Sequence, residues 1–323
     1  ARGPVLIAPP PGIARPARPA WLDFWLRFSR NFFAVLGLVM ILGFIAVGLV
    51  GPFIAPYSYR EQFIAPPEQS PSFQHLLGTD HLGRDQFSRM LHATRTALVV
   101  APAVVVVALT LGLFLGLLAG FYGGWVDALI MRIGDLLFAI PGLLLPLLRA
   151  STIGPRFEEF FRQFRWARGL VQSGWPEFFV VVTALSLVGW AGLARLIRGQ
   201  VLALRETAFV EAAEALGVPP RRILFRHILP NAIVPVVVAI SMGLGGAILA
   251  ESTLSFLGIG IQPPTPSFGA MIQEAMGLGY WRKAQAPWLV WAPGLVVAAM
   301  VFAFNFLGDG LNEALNPHRD RGK

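Results

Sequence analysis

The chain predicts an all-α integral membrane protein, and three observations carry that prediction. Hydrophobic residues make up 55% of the sequence and charged residues only 14%, against roughly 25% charge in a soluble domain; the mean hydropathy is +0.62. The apolar residues are gathered into uncharged runs, Asn31–Tyr59, Thr96–Val126, Phe178–Ala194, Asn231–Ala250 and Ala284–Gly308, each close to or beyond the ~20 residues that a membrane-spanning helix needs. Between the third and fourth runs sits one compact polar insert with helix start and stop signals.

Taken in order, residues 1–30 form an N-terminal arm. Ala1–Ala20 is rich in Pro, Ala and Arg, too poor in large apolar residues to pack a core, and reads as extended chain. Residues 31–58 are the first transmembrane helix, too long for a signal-peptide core and without a small-residue cleavage site after it. Residues 59–95 are an extracytoplasmic segment. In its motif LGTDHLGRDQFSRML, Leu77–Leu91, Gly78 and Gly83 permit tight turns, while Asp80, Arg84, Asp85 and Arg89 make local charge pairs that cap the bundle. His75, His81 and His92 lack a compact metal-ligand spacing and read as solvated loop residues.

Residues 96–310 are a core of five further transmembrane helices. In the first of these Gly112, Gly116 and Gly120 repeat every four residues, a small-residue stripe that lets another helix backbone approach closely. A weaker span, Ala128–Leu148, contains Arg132 and Asp135, i, i+3 neighbours expected to pair near its end. An insertion, 149–177, follows; its Phe157, Phe160, Phe161 and Phe164 share a helical face, as in a helix lying in the membrane interface on the outer surface. Residues 311–323 form a tail.

Arginines set the orientation. Arg2, Arg15, Arg18, Arg27 and Arg30 precede the first span, six arginines from Arg195 to Arg226 flank the polar insert, and Arg319, Arg321 and Lys323 close the chain, so all three regions are expected in the cytoplasm. Arg149, Arg156, Arg162, Arg165 and Arg168 oppose that bias. With both termini inside, the number of spans is even, so Ala128–Leu148 is needed as the sixth. The net charge of +8 flanks the spans and suits anionic lipid headgroups, with no nucleic-acid role implied.

Within the insert 197–230, Thr207 is placed to cap a helix over Ala208–Leu216, and Gly217 to end it in the left-handed conformation. Phe209, Ala213 and Leu216 make its apolar face, with Glu206, Glu211 and Glu214 elsewhere. Pro219 and Pro220 open a second helix through Arg221, Arg222 and Arg226, and Pro230 breaks it before the next span. On pattern alone such a hairpin serves equally as a handle for a soluble protein or as an amphipathic pair resting on headgroups.

Glu211, Ala212, Ala213, then Gly217, then Leu229 and Pro230 resemble the EAA loop of permease subunits of ABC importers, in which EAA is followed by three residues, Gly, nine residues and I-x-L-P. His227 stands where the general pattern has Ile, as in the RHILPN variant of the dipeptide, oligopeptide and nickel permeases. The segments Leu77–Leu91, Glu251–Ile272 and FNFLGDGLNEALNP resemble the same family, of the C-type subunit; Phe268 replaces a frequent Trp, and Asn312 and Asn316 replace charged residues, which puts a local salt bridge in doubt.

The resemblance implies a type I importer permease in a bacterial or archaeal cytoplasmic membrane. Its partners would be a homologous B-type permease, two ATP-binding cassette subunits and an extracytoplasmic substrate-binding protein. Phe209, Glu211, Ala212, Ala213, Leu216 and Gly217 would meet an ATP-binding subunit. Glu251, Ser252, Phe256 and Gln262 are candidates for the pathway or a gate, with a structural interhelical role for Glu251 as the alternative. ATP and Mg would sit on the partner subunits, with no cofactor or metal on this chain. Only Lys283 and Lys323 occur, neither in a phosphate-cradling GxxxxGK, and GxSxG and HExxH are missing, so no catalytic constellation is present. Di- or oligopeptides are the implied substrate, with nickel complexes and glutathione-like compounds as alternatives. A secondary transporter or channel without ATP is the competing class, separable by whether nucleotide-binding subunits co-purify.

Overall fold

Trp21, Trp25 and Phe28 recur on one side of a helix, α1 (Ala20–Arg30), which closes the N-terminal arm just after the stretch read as extended chain. Phe28 is buried against Ala34 and Ala314, so the far end of the chain supplies packing for this helix. The computed structural model describes residues 19–139, 175–279 and 285–315, and between the first two blocks residues 144, 146, 148, 152, 156, 159, 160, 163 and 164. Residues 1–18, residues 140–143, 145 and 147 of the Ala128–Leu148 candidate, Phe157 and Phe161 of the interfacial helix, Lys283 and the tail from Asn316 lie outside the described residues. Phe160 and Phe164 are described; both are exposed, with ring centroids 5.2 Å apart.

Helix α2 (Phe32–Ile54) starts at Asn31, whose side chain accepts from the Ala34 amide at 3.0 Å, and α3 (Gln86–Tyr122) starts at Asp85, which accepts from the Ser88 amide at 2.7 Å. These caps satisfy amides that have no partner inside a first helical turn. With 37 residues α3 is about 55 Å long, and it begins ten residues before the uncharged run does. After α4 (Gly124–Ala139) come α5 (Trp175–Arg205), α6 (Ala208–Ala215), α7 (Pro220–Phe256), α8 (Phe268–Met276) and α9 (Trp288–Leu315). Five of these helices are long and apolar enough to cross a membrane.

The glycine stripe is a helix contact. A Cβ on Gly112 would lie 2.7 Å from Leu193 Cβ, one on Gly116 2.7 Å from the Ala194 carbonyl oxygen, and one on Gly120 2.7 Å from Val201 Cβ. Along the stripe residue numbers rise together on α3 and α5, so the two helices are parallel. Asp127 and Asp135 of α4 bind Arg198 and Arg195 of α5. The local pair expected between Arg132 and Asp135 is therefore corrected: Asp135 reaches Arg195 at 2.7 Å, across to the neighbouring helix.

The expected break at Pro230 is also corrected. Pro220–Phe256 is continuous because residues 224–228 widen into a π-turn, in which the Leu229 amide bonds to the Leu224 carbonyl and Asn231 Nδ2 donates to the His227 carbonyl at 2.7 Å. Widening relieves the clash between the proline ring and the preceding turn. What sequence reading took for the second helix of a surface hairpin is thus the first two turns of α7. The main core lies among α2, α3, α5, α7, α8 and α9, around Met300, Ala303, Leu254 and Phe268.

Candidate functional site

At the end of the bundle where α3 and α5 finish, α6 is pinned from both sides. Arg205 donates to the Gly120 and Phe121 carbonyls at 3.3 and 2.9 Å and lies over the Phe121 ring. Thr207 occupies the N-cap position with extended backbone, yet its hydroxyl donates to the Leu204 carbonyl and caps nothing in α6. The C-terminus closes as a Schellman motif: the Gly217 amide bonds to the Glu214 carbonyl at 2.9 Å and the Val218 amide to that of Ala213 at 3.1 Å, with Gly217 at φ +73°.

Of the apolar face read in the sequence, Phe209, Ala213 and Leu216, only Ala213 turns inward. Val210 (1% exposed) and Ala213 pack against Leu117, Ile197, Val201, Ile223, Ile228 and Val236. Phe209 is 44% and Leu216 84% exposed, and Ala212 is exposed between them. Two apolar stripes share this short helix. The i, i+3 pair Val210 and Ala213 anchors it, and the i, i+3, i+7 set Phe209, Ala212 and Leu216 points away from the bundle. Glu206, Glu211 and Glu214 are exposed around that outer stripe, and Gly217 is exposed beside it. Of the six residues expected to meet a partner, only Ala213 is withdrawn. Burying a Val side chain such as Val210 is worth about 1.5–3 kcal/mol, whereas Leu216 contributes little of that kind to the isolated chain.

The opposite end of the bundle carries a buried charge network. Asp80 Oδ2 accepts from Arg84 Nε at 2.6 Å and from an Arg89 guanidinium NH, and Glu274 Oε2 lies 2.8 Å from both arginines. The side chains of Asp80, Arg84 and Arg89 are 3–5% exposed and that of Glu274 13%. The charge pairs predicted as local surface ties are instead interior and join the loop before α3 to α8. Asp80, His81 and Glu274 bring ligand atoms within 4.8 Å of one another, but both carboxylates already face two guanidinium groups. Nor is His75 solvated: it is 4% exposed, with Nδ1 2.8 Å from Asp85 Oδ1 and its ring on Tyr57. Packing brought in by residues 57–75 buries it. Gly78 and Gly83 do sit at turns, at φ +68° and +65°, where a Cβ would meet a carbonyl oxygen at 2.2 or 2.3 Å.

Beside this network the chain leaves α7, turns through 257–267 and re-enters as α8. Ser255 Oγ donates to Glu251 Oε1 at 2.7 Å and accepts from the Ile261 amide at 3.0 Å, and Ser267 accepts from the Ala270 amide, capping α8. A Cβ on Gly269 would lie 1.9 Å from the Ser252 carbonyl oxygen, so α8 packs directly on the end of α7 with Phe268 fully buried. Glu251 and Ser252 are buried inside the subunit, where the Glu251 carboxyl is held by the Ser255 hydroxyl one turn along its own helix. Phe256 and Gln262 are exposed. Glu274 and Val210, which hold the two ends together, were not singled out in the sequence.

Residues 112–321 match the family model for the binding-protein-dependent transport system inner membrane component, and residues 20–71 match the N-terminal transmembrane domain of oligopeptide transport permease C. The chain belongs to this permease family. It is 36% identical over 310 residues to the dipeptide transport system permease protein DppC of Alkalihalophilus pseudofirmus, covering 96% of this chain and 94% of that protein. It is 39% identical over 301 residues to the glutathione transport system permease protein GsiD of Pectobacterium atrosepticum, covering 93% and 92%. With DppC of Bacillus subtilis it shares 33% over 308 residues, 94% and 88% of the two chains. In this permease Glu211, Ala212 and Ala213 lie on α6, and Leu229 and Pro230 directly follow the π-turn within α7.

Proposed function

We propose that this permease is the C-type membrane subunit of an ATP-driven importer of di- or oligopeptides, forming half of the translocation pathway beside a related B-type subunit. Two ATP-binding cassette subunits carry ATP and Mg and drive it from the cytoplasm, and a substrate-binding protein delivers cargo to the opposite face. One observation carries this reading: α6 is fixed to the bundle by Val210 and Ala213 while Phe209, Ala212 and Leu216, ringed by glutamates, are left exposed. An apolar stripe on a rigidly held helix is what a groove on another protein takes up, and a helix packed through Val210 and Ala213 on α3, α5 and α7 transmits its displacement into the spans.

The chain in this reading has six spans and both termini in the cytoplasm. The support is the parallel course of α3 and α5: if both cross the membrane, the segment from Gly124 to residue 174, which begins with α4, crosses it as well. Uptake of labelled dialanine by proteoliposomes holding the four membrane-associated subunits, with binding protein outside and ATP inside, tests the proposal. ATP-dependent accumulation supports it; accumulation without ATP would move the protein to the secondary-transporter class. Glutathione is the second reading, favoured by the 39% identity to a glutathione permease. Competition between glutathione and dialanine in the same vesicles separates the two.

A further inference from the structure

At the end of the bundle away from α6, a cavity of about 370 Å3 is lined by Tyr59, His92, Arg95, Phe178, Ile261 and Thr265 together with Thr96, Val99, Val100 and Pro266. We infer that this cavity is a subsite for the free carboxylate end of the transported molecule, with Arg95 as its counter-ion. The inference rests on the peptide reading above and names the chemical feature that the permease itself would recognise.

No aspartate or glutamate lines the cavity, and among the described residues Arg95 has no ion-pair partner, although its neighbours on the loop and α3, Arg84 and Arg89, are fully paired. Arg95 is exposed and is the last charged residue before the uncharged run that starts at Thr96, so its guanidinium stands at the border between polar and apolar surroundings. A planar guanidinium binds a carboxylate through two parallel hydrogen bonds, and more strongly at such a border than in bulk water.

The polar groups around it are arranged to read a peptide end and not a bare anion. His92 Nδ1 donates to the Ser88 carbonyl at 2.9 Å, which leaves Nε2 as the ring nitrogen available to a ligand. Tyr59 packs on that ring with centroids 4.5 Å apart and takes Arg60 Nε at its oxygen at 3.0 Å, leaving its own hydroxyl proton to donate. Val99, Val100, Phe178 and Ile261 supply apolar wall, and the volume suits a small ligand.

The cavity also has a continuation. Further along the same helices, Val104, Val105 and Ala108 of α3, Leu185 and Gly189 of α5 and Gly243 of α7 line a second, almost wholly apolar cavity of about 410 Å3. Thr96, Val100, Val104 and Ala108 are spaced four residues apart on α3, so one helix face runs from the charged mouth into the apolar interior. A cargo whose carboxylate is held at Arg95 presents its remaining atoms to that route.

The test uses the assembled importer in nanodiscs with Thr265→Cys in this chain, which has no cysteine of its own. Maleimide labelling of that residue is followed against increasing dialanine or its C-terminal amide. Dialanine is expected to protect at a concentration at least tenfold lower than the amide does. Arg95→Gln is expected to abolish the difference, and Arg95→Lys to keep part of it, while labelling without peptide stays as it was. Equal protection by acid and amide, or a preference that survives both Arg95→Gln and Arg95→Met, overturns the inference. So does labelling that ignores both peptides and responds only to the fraction of anionic lipid, which would assign Arg95 to headgroup phosphate. Acid-selective protection in an importer that accumulates no dialanine would refute the proposed cargo and leave carboxylate recognition standing.

Discussion

Replacing Glu274 by glutamine removes one charge from a buried set of four and leaves two guanidinium groups facing Asp80 alone. Glu274 lies 2.8 Å from both Arg84 and Arg89, whose side chains are 5% and 3% exposed, so water cannot restore the lost charge. Breaking a buried pair by removing one partner costs about 3–5 kcal/mol, because the remaining charge stays desolvated. That cost falls on the attachment of α8 to the loop before α3, the only segments the network joins among the described residues. At 1.36 kcal/mol per decade, local opening becomes about two to four decades more frequent. The assay is maleimide labelling of Met271→Cys, at a position on α8 that is 2% exposed, in the intact importer under native conditions. Glu274→Gln should speed labelling at least a hundredfold and Glu274→Asp far less. An acceleration below tenfold for the glutamine variant would show that the network does not hold α8, and the reasoning from buried charge would fail.

Other outcomes follow from the same geometry. Leu216→Asp, at a site 84% exposed, should leave folding and membrane insertion unchanged and lower recovery of ATP-binding subunits with the tagged permease by tenfold or more, whereas Val210→Asp, at 1% exposure, should lower the yield of the permease itself. Gly217→Val must hold a branched side chain at φ +73°, a cost above the ~1–2 kcal/mol of an ordinary residue there, although a Cβ meets nothing within 4 Å; ATP-driven uptake should fall, and Gly217→Asn should retain most of it. Gly116→Ala places a Cβ 2.7 Å from the Ala194 carbonyl oxygen and 2.9 Å from Ile197 Cβ, and should lower the melting temperature in detergent by an amount equivalent to about 1–3 kcal/mol; Gly246→Ala, with nothing in reach, should not.

Much of the architecture is legible in the residues because the membrane enforces long uncharged runs, and because Gly112, Gly116 and Gly120 at four-residue spacing admit a close neighbour. The stop of α6 at Gly217 is legible for a similar reason, since a left-handed residue after a short helix-forming run favours glycine. The face of α6 is less so. Phe209 and Ala213 fit one helical stripe and Val210 and Ala213 another, and an eight-residue helix with two apolar stripes does not say which faces the bundle. Proline at 230 reads as a break because nothing in the residue types of 224–228 announces the π-turn that absorbs it. Glu274 escaped notice because Asp80, Asp85, Arg84 and Arg89 balance on paper. The balance fails in space, where Asp85 serves the Ser88 amide and His75, leaving Asp80 with both arginines and a place for a second acid. The signal was present: Asp85 stands where a helix cap stands.

The proposed coupling requires an ATP-binding subunit to grip the outward stripe of α6. Photo-crosslinking groups placed at positions 209, 212, 216 and 210 of the assembled importer test it most directly. Adducts to an ATP-binding subunit from 209, 212 and 216, altered by ATP and absent from the inward position 210, are the expected result. Adducts from 209 and 216 to lipid alone, in an importer that still hydrolyses ATP and transports, would contradict it.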